Sequence, residues 1–205
     1  KKGKTGEPTI SYEGTYGVTF PLPGDPWNIL NSEEYMTVYN RAFPGNPRFA
    51  NGMPDYMYRG PQGAGVAFAG DPKVDPSLYF YESPNKGKNY LIQEINKEGT
   101  DWFHALFKRA PTTEHNVTAS GGTNKSKYLF ALGYLHQQGT LLNTDLKRYS
   151  ARVNTEFTIG KHLRIGENAN ILHRHNLGFG ENSQFGGIVE TVKQQPIVPL
   201  YDIMG

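Results

Sequence analysis

Few residues in this 205-residue chain have the types and spacing that chemistry requires. His173 and His175 in the run HRH are a metal-ligating pair by type. No carboxylate or third histidine stands at a matching spacing, so a solvated loop is the expectation there. Gly63, Gly65 and Gly70 in QGAGVAFAG have the composition of a phosphate-cradling loop. No strand precedes them and no Lys-Ser/Thr follows, so a flexible loop is predicted instead. Asp71 and Asp75 do not have the spacing of a calcium loop. Asn116-Val117-Thr118 and Asn124-Lys125-Ser126 match a glycosylation pattern short enough to arise by chance. There is no Gly-x-Ser-x-Gly and no paired-carboxylate arrangement. Nothing here argues for an enzyme, a cofactor or a bound metal.

Composition narrows the class. The 24 Gly, 14 Pro and 13 Tyr point to short strands, turns and long loops. A net charge of +2 and a pI near 8.6 are too mild to imply nucleic acid. With no cysteine, disulfide frameworks and thiolate zinc sites are excluded. No run approaches the roughly 18 apolar residues of a transmembrane helix. The mean hydropathy of −0.60 resembles that of a soluble protein. Membrane β-barrels give similar values, because lipid-facing and lumen-facing residues alternate along each strand. The opening KKGKTGEP carries neither an initiator Met nor a signal-peptide pattern. The expectation is a removed targeting segment or an interior piece of a longer protein.

Five stretches alternate with period two. They are TISYEGTYGVTF from Thr9, EHNVTAS from Glu114, YLFALGYLHQQG from Tyr128, RYSARVNTEFTI from Arg148 and HLRIGENANILH from His162. In the fourth, Tyr149, Ala151, Val153, Phe157 and Ile159 share a face opposite Arg148, Arg152, Asn154 and Glu156. The third differs: Tyr128, Phe130, Leu132 and Tyr134 are backed by Leu129, Ala131, Gly133 and Leu135. In the fifth, Glu167 interrupts the apolar face and predicts either a headgroup position or a bulge. Short links (GGTNKSK, GKH) alternate with longer ones (HQQGTLLNTDLK, residues 21–113), the parity of an up-and-down wall. Tyr149 and Phe157 are eight steps apart, about 20 Å of height at a tilt near 40°, close to a lipid-facing band. Tyr128 with Tyr134, and Tyr12 with Phe20, repeat the pattern. The residues alone leave two readings, a barrel wall and a soluble β-sandwich.

Within 21–113, LNSEEYMTVYNRAF predicts a capped helix, with Asn31 as N-cap, Glu34 at N3 and Leu30 stapled to Tyr35. GTDWFHALFKRAP predicts a second, closed by Pro111, with Trp102/Leu106 and Phe103/Phe107 as its packed side. Residues 44–90 read as a long Pro-, Gly- and Tyr-rich loop.

Several separated motifs carry a family resemblance: Gly99-Thr100-Asp101-Trp102, Ala110-Pro111, His115-Asn116, Ser120-Gly121-Gly122, Gln138-Gly139 and Lys147-Arg148-Tyr149-Ser150-Ala151-Arg152. With KKGKTGEPTISY, LNSEEYMTVYN and the later-loop segment PIVPLYDIMG, they make the chain resemble the SusC/RagA family of TonB-linked outer-membrane proteins of Bacteroidota. The likeness is weakest from Pro44 to Pro84. It implies an all-β fold, about five antiparallel strands of a 22-stranded transmembrane barrel whose long extracellular loops contain short helices. Residues 1–8 would close a plug domain and its linker. Residues 9–205 would form the N-terminal part of the barrel, with 21–113 as an extracellular loop. The implied function is TonB-dependent import of oligosaccharides or peptides across the bacterial outer membrane under a SusD-like surface lipoprotein. TonB would act through plug segments outside this chain, and outer-membrane lipid would surround the wall.

On that reading Arg148, Arg152, Asn154, Glu156, Leu129 and Leu135 face the lumen or plug. Tyr56, Tyr58, Tyr79, Tyr81 and Trp102 are candidates for ligand or lid contact, although helix packing is the simpler role for Trp102. The rival functions are a secreted β-sandwich module for adhesion or glycan binding, and a passive porin without a plug.

Overall fold

The computed structural model describes residues 5–24, 26–84, 87–178 and 187–205. The chain forms two compact units, Lys1–Pro21 with Phe107–Gly180, and Leu22–Leu106 with Glu181–Gly205.

The first unit is one antiparallel sheet. Its strands are β1 (Gly6–Thr19), then, beyond the second unit's strands, β5 (Ala110–Gly122), β6 (Ser126–Gln138), β7 (Asp145–Ile159) and β8 (Leu163–Leu177). They pair in the order β1-β5-β6-β7-β8, so each strand lies beside its predecessor within the unit. Thr123 closes the β5–β6 turn: its Oγ1 accepts from the amides of Lys125 and Ser126, both at 3.2 Å. Residues 160–162 close the β7–β8 turn, and residues 139–144 link β6 to β7 at the other end. The long–short parity holds with a smaller contrast than expected, because β6 and β7 extend into the run read as a link.

Three further expectations change. β5 begins at Ala110, so Pro111 sits inside a strand opposite Val18 and does not cap a helix. A missing amide is tolerable near a strand's start. β8 runs to Leu177, which places His173 and His175 in a strand and not in a loop. The β7–β8 register is unbroken from Asp145↔Leu177 to Ile159↔Leu163, so there is no bulge at Glu167, which faces Thr155.

The two faces of this sheet differ in kind. One carries Ile10, Val117, Phe130, Leu132, Ile165 and Ile171, all exposed. Across its upper part runs a ladder of rings. Tyr12 stacks on His115 (6.1 Å), His115 on Tyr134 (6.3 Å), Tyr134 meets Tyr149 (5.1 Å) and Tyr149 meets His173 (6.3 Å). Tyr12 reaches His115 Nδ1 at 2.8 Å by lying across Gly14. A Cβ at Gly14 would stand 2.6 Å from the Tyr12 hydroxyl, so glycine makes the crossing possible. Among the described residues of this unit the buried hydrophobic ones are Ala110 and Leu129. Among the described residues the unit is a single layer without an interior.

The second unit contains α1 (Ser32–Ala42), β2 (Tyr56–Gly60), β3 (Gly63–Ala67), β4 (Leu91–Glu94), α2 (Trp102–Leu106) and α3 (Gly187–Val192). Its sheet runs β3-β2-β4. The glycine-rich run predicted as a flexible loop is therefore strand β3, with Gly65 under the Tyr58 ring. α1 has the expected capping box: Asn31 Oδ1 accepts from the Glu34 amide and Glu34 Oε2 from the Asn31 amide, each at 2.9 Å. Leu30, the expected staple, is exposed. α2 stops at Leu106, and Phe107 instead forms an isolated bridge to Leu141 in the link between β6 and β7, so Phe103/Phe107 do not share a helix face.

Two cores hold this unit together. Phe49, Ile95 and Ile197 pack with Tyr35 and Tyr39; Ala67, Val74 and Ile92 pack with Tyr56, Tyr58, Tyr79 and Ile203. The segment 196–205 read as a later loop thus supplies core residues. Replacing Asn31 with Ala removes one half of the capping box and is expected to cost about 1 kcal/mol. Amide hydrogen exchange in the first turn of α1 should quicken accordingly, and unchanged protection would show that the cap carries no stability.

Candidate functional site

The polar face of the five-stranded sheet gathers most of the side chains that sequence periodicity singled out. Register aligns them in rows across the strands. One row reads Thr15, Glu114, Leu135, Arg148 and Arg174; another reads Ser11, Thr118, Ala131, Arg152 and Asn170. A third reads Thr9, Ser120, Leu129, Asn154 and Asn168. A cleft of about 720 Å³ opens over them, lined among others by Glu13, Asn116, Arg148, Ser150, Arg152 and Asn170.

The rows explain how β6 can be apolar on this side too. Arg148 Nη2 lies 3.3 Å from Glu114 Oε1, and these residues flank Leu135 on either side. The ion pair therefore arches over a half-buried leucine. Gly133 is roofed in the same way: a Cβ there would meet Ser150 Oγ at 2.6 Å and Asn116 Oδ1 at 2.8 Å. Leu129 is 9% exposed, between Ser120 and Asn154. Neighbouring strands supply this shelter. Glu156 pairs with Arg164 at 3.7 Å, whereas Arg152 has no ion-pair partner among the described residues and sits between Ala131 and Asn170. The Glu114–Arg148 pair is more than a third exposed on both sides, so its net contribution is small. Its role is to cover and orient.

Glu114 was not singled out by the sequence. The signal that could have found it is the alternation of EHNVTAS itself, since Glu114, Asn116 and Thr118 alternate with His115 and Val117.

The second set of candidates lies in the second unit and does not form one constellation. Tyr56, Tyr58 and Tyr79 pack against the Ala67–Val74–Ile92 core. Tyr58 also stacks on Tyr90 at 6.2 Å, under the Lys73 ammonium. Trp102 Nε1 donates to the Gln195 carbonyl at 3.3 Å, which ties α2 to the C-terminal segment. Tyr81 is 60% exposed, the freest of the five to meet another molecule. A cleft of about 1030 Å³ in this unit is lined by Asp55, Glu94, Lys97, Asp101, Tyr201 and Asp202. Asp55 is held below the usual carboxylate range by its hydrogen bonds from Lys97 Nζ (2.6 Å) and the Ala69 amide (2.8 Å).

No family model matches the chain. It is 23% identical over 199 residues to the TonB-dependent receptor SusC of Bacteroides thetaiotaomicron, covering 96% of this chain and 15% of that protein. It is 27% identical over 100 residues to the TonB-dependent receptor P3 of Formosa agariphila, covering 49% of this chain and 10% of that one. Its fold matches the structure of the RagAB peptide importer in the 'open-open' state with a TM-score of 0.71 and 26% identity. That match covers all of this chain and 22% of the other. The 'closed-closed' state gives a TM-score of 0.69.

The fold match extends over the residues of both units. The chain is similar to receptors of the SusC/RagA type, and it spans less than a quarter of the length of the relatives it matches.

Tyr79 offers a direct check on the second unit. Its hydroxyl donates to Asp202 Oδ2 at 2.6 Å, and that bond, with desolvation and the carboxylate's charge, raises the phenol to about 12. Asp202→Asn should bring it back towards about 10 in an absorbance or chemical-shift titration. Because the folded value is raised, the stabilisation is intact below about pH 10 and is lost as pH climbs to about 12. A Tyr79 titration unmoved by the substitution would remove the bond from the account.

Proposed function

We propose that this chain is part of the wall of a TonB-dependent importer in the bacterial outer membrane, a transporter and not an enzyme. The carrying observation is the single-layer sheet whose large apolar side chains are exposed on one face while charged and amide side chains fill the other. Exposed apolar area on this scale marks a surface made for lipid or a partner. Five strands of 13 to 15 residues exceed the nine to eleven or so that a tilted strand needs to span the hydrocarbon.

On this reading β1 and β8 are open edges, and in a bilayer every backbone group on them needs a partner. Further strands of the same barrel supply it. The short turns at 123–125 and 160–162 face the periplasm; residues 139–144 and the insert lie at the extracellular end. Residues 1–8 are the end of a plug and its linker, with the barrel portion running from residue 9 to 205. The polar face lines the lumen, where Arg148, Arg152, Asn154 and Glu156 meet the plug or the passing substrate, and Leu129 and Leu135 lie beneath them. A SusD-like lipoprotein covers the extracellular end, and TonB acts through the plug. The fold match to the RagAB peptide importer supports a cargo of peptide size. Tyr81 and Tyr201 are exposed tyrosines of the second unit that suit such cargo.

Two adjacent residues on β6 test which face meets lipid. Leu132→Arg on the apolar face should lower assembly into outer-membrane vesicles by about 2–4 kcal/mol, the penalty of a mid-membrane cation. Ala131→Arg, one residue away on the polar face, should assemble nearly as well as the unaltered protein. Equal behaviour of the two, or a soluble monomer that melts cooperatively in water, would favour the secreted β-sandwich instead.

A further inference from the structure

The apolar face is not uniform along the strands. Three successive rows across β6, β7 and β8 form a gradient. The lowest is Leu132, Ala151 and Ile171; the next is Tyr134, Tyr149 and His173; the third is His136, Lys147 and His175. Apolar, aromatic and cationic side chains follow one another at two-residue steps, each about 6.6 Å along a strand.

The lower two rows enclose a depression of about 440 Å³. Val117, Leu132, Ala151 and Ile171 form its floor, and the Tyr134 and Tyr149 rings its rim. Ala151 is the small residue in a row of large ones, which opens the hollow. Above it, Lys147 stands directly opposite His136 on one side and His175 on the other. The Lys147 ammonium thus stands between two rings whose N–H groups can also donate, so the row suits an anion. The nearest acid on this face, Asp145, is taken by His136 Nε2 at 2.5 Å. Among the described residues neither Lys147 nor His175 has an ion-pair partner.

We propose that this gradient is a site for a phosphate-bearing lipid of the outer leaflet. An acyl chain lies in the hollow over Ala151. The headgroup rests on the ring ladder, and its phosphate is held by Lys147 and His175. The order of chemistries matches that of such a lipid from tail to phosphate, and the cationic row lies at the end of the strands assigned above to the extracellular side. The proposal rests on the membrane reading and adds to it a specific lipid contact.

The test is native mass spectrometry of the intact protein extracted in mild detergent and offered diphosphoryl lipid A, with fully dephosphorylated lipid A as the comparison. The unaltered protein should retain the diphosphoryl form preferentially. Lys147→Gln should lower that retention about fivefold, and adding His175→Gln should lower it further. Ala151→Phe should weaken both lipids by filling the hollow. Lys161→Gln, which removes the same charge in the turn at the opposite end, should change nothing. A heat-modifiable band on electrophoresis confirms that each variant is folded, and His175→Gln alone, on an exposed position, serves if the double variant is not. Equal retention in all variants overturns the proposal, as does an equal loss with Lys161→Gln or complete competition by inorganic phosphate. If the contrast between Leu132→Arg and Ala131→Arg holds while retention is unchanged, only this inference fails. If that contrast is absent, the membrane reading fails with it.

Discussion

A sheet one layer thick cannot bury its own apolar face, and the behaviour of the five-stranded unit depends on that constraint. Its backbone is saturated by strand-to-strand hydrogen bonds except along β1 and β8, yet Ile10, Tyr12, Phe130, Leu132, Tyr149, Phe157, Ile165 and Ile171 are each at least 45% exposed. Removing such a side chain from water is worth roughly 1.5–3 kcal/mol when complete. Even at half that value, eight of them amount to about 6–12 kcal/mol, comparable with the whole net stability of an ordinary domain. The environment of this face therefore decides whether the unit is stable. Hydrocarbon supplies that term; water withholds it.

The polar face meets a different demand, and β6 shows how. Period two gives each strand an inside and an outside, but it does not require every strand to be polar inside. A leucine or glycine stripe one strand wide is acceptable when its neighbours are long and polar enough to close over it. Glu114 and Arg148 do this over Leu135, and Asn116 and Ser150 over Gly133. The stripe leaves room for side chains from both sides to meet above it, which strands of uniform bulk would keep apart. A surface of this kind is hydrated and hydrogen-bonding at its top while its backbone layer stays dry.

How much of this was legible in the sequence differs between the two units. Alternation gave all five long strands and their faces, because the sheet's order follows the chain order once the insert is set aside. Their ends were less legible. Pro111 looked like a helix stop and HRH like a loop, although alternation continues through both. Register cannot be read from one strand alone, so the Glu114–Leu135–Arg148 row was not visible. The second unit was mostly illegible beyond α1, whose capping box is local, and the start of α2, where Asp101 Oδ1 accepts from the His104 amide. Its cores join Phe49 and Ile95 to Ile197, and Ile92 to Ile203, more than a hundred residues apart in each case, and no local pattern reports such a pairing. The tyrosines singled out as ligand contacts drew attention by their type, and three of them turn out to serve that core.

The two ends of the wall also differ in chemistry, independently of the lengths of their links. Towards the short turns the apolar face ends with Tyr128, Phe157 and Ile159, and it carries the Glu167 carboxyl in the row of Tyr128 and Thr155. Towards the longer links it ends in a continuous ladder of rings followed by Lys147 between two histidines. An acid costs less than a cation at the membrane border, and cost falls for both towards the interface. Glu167 is therefore tolerable near one edge, whereas the cationic row belongs at a surface that presents negative charge. The same five strands thus specify two directions at once. Alternation along each strand tells the apolar face from the polar one, and the sequence of rows from Phe157 to His175 distinguishes one end of the wall from the other.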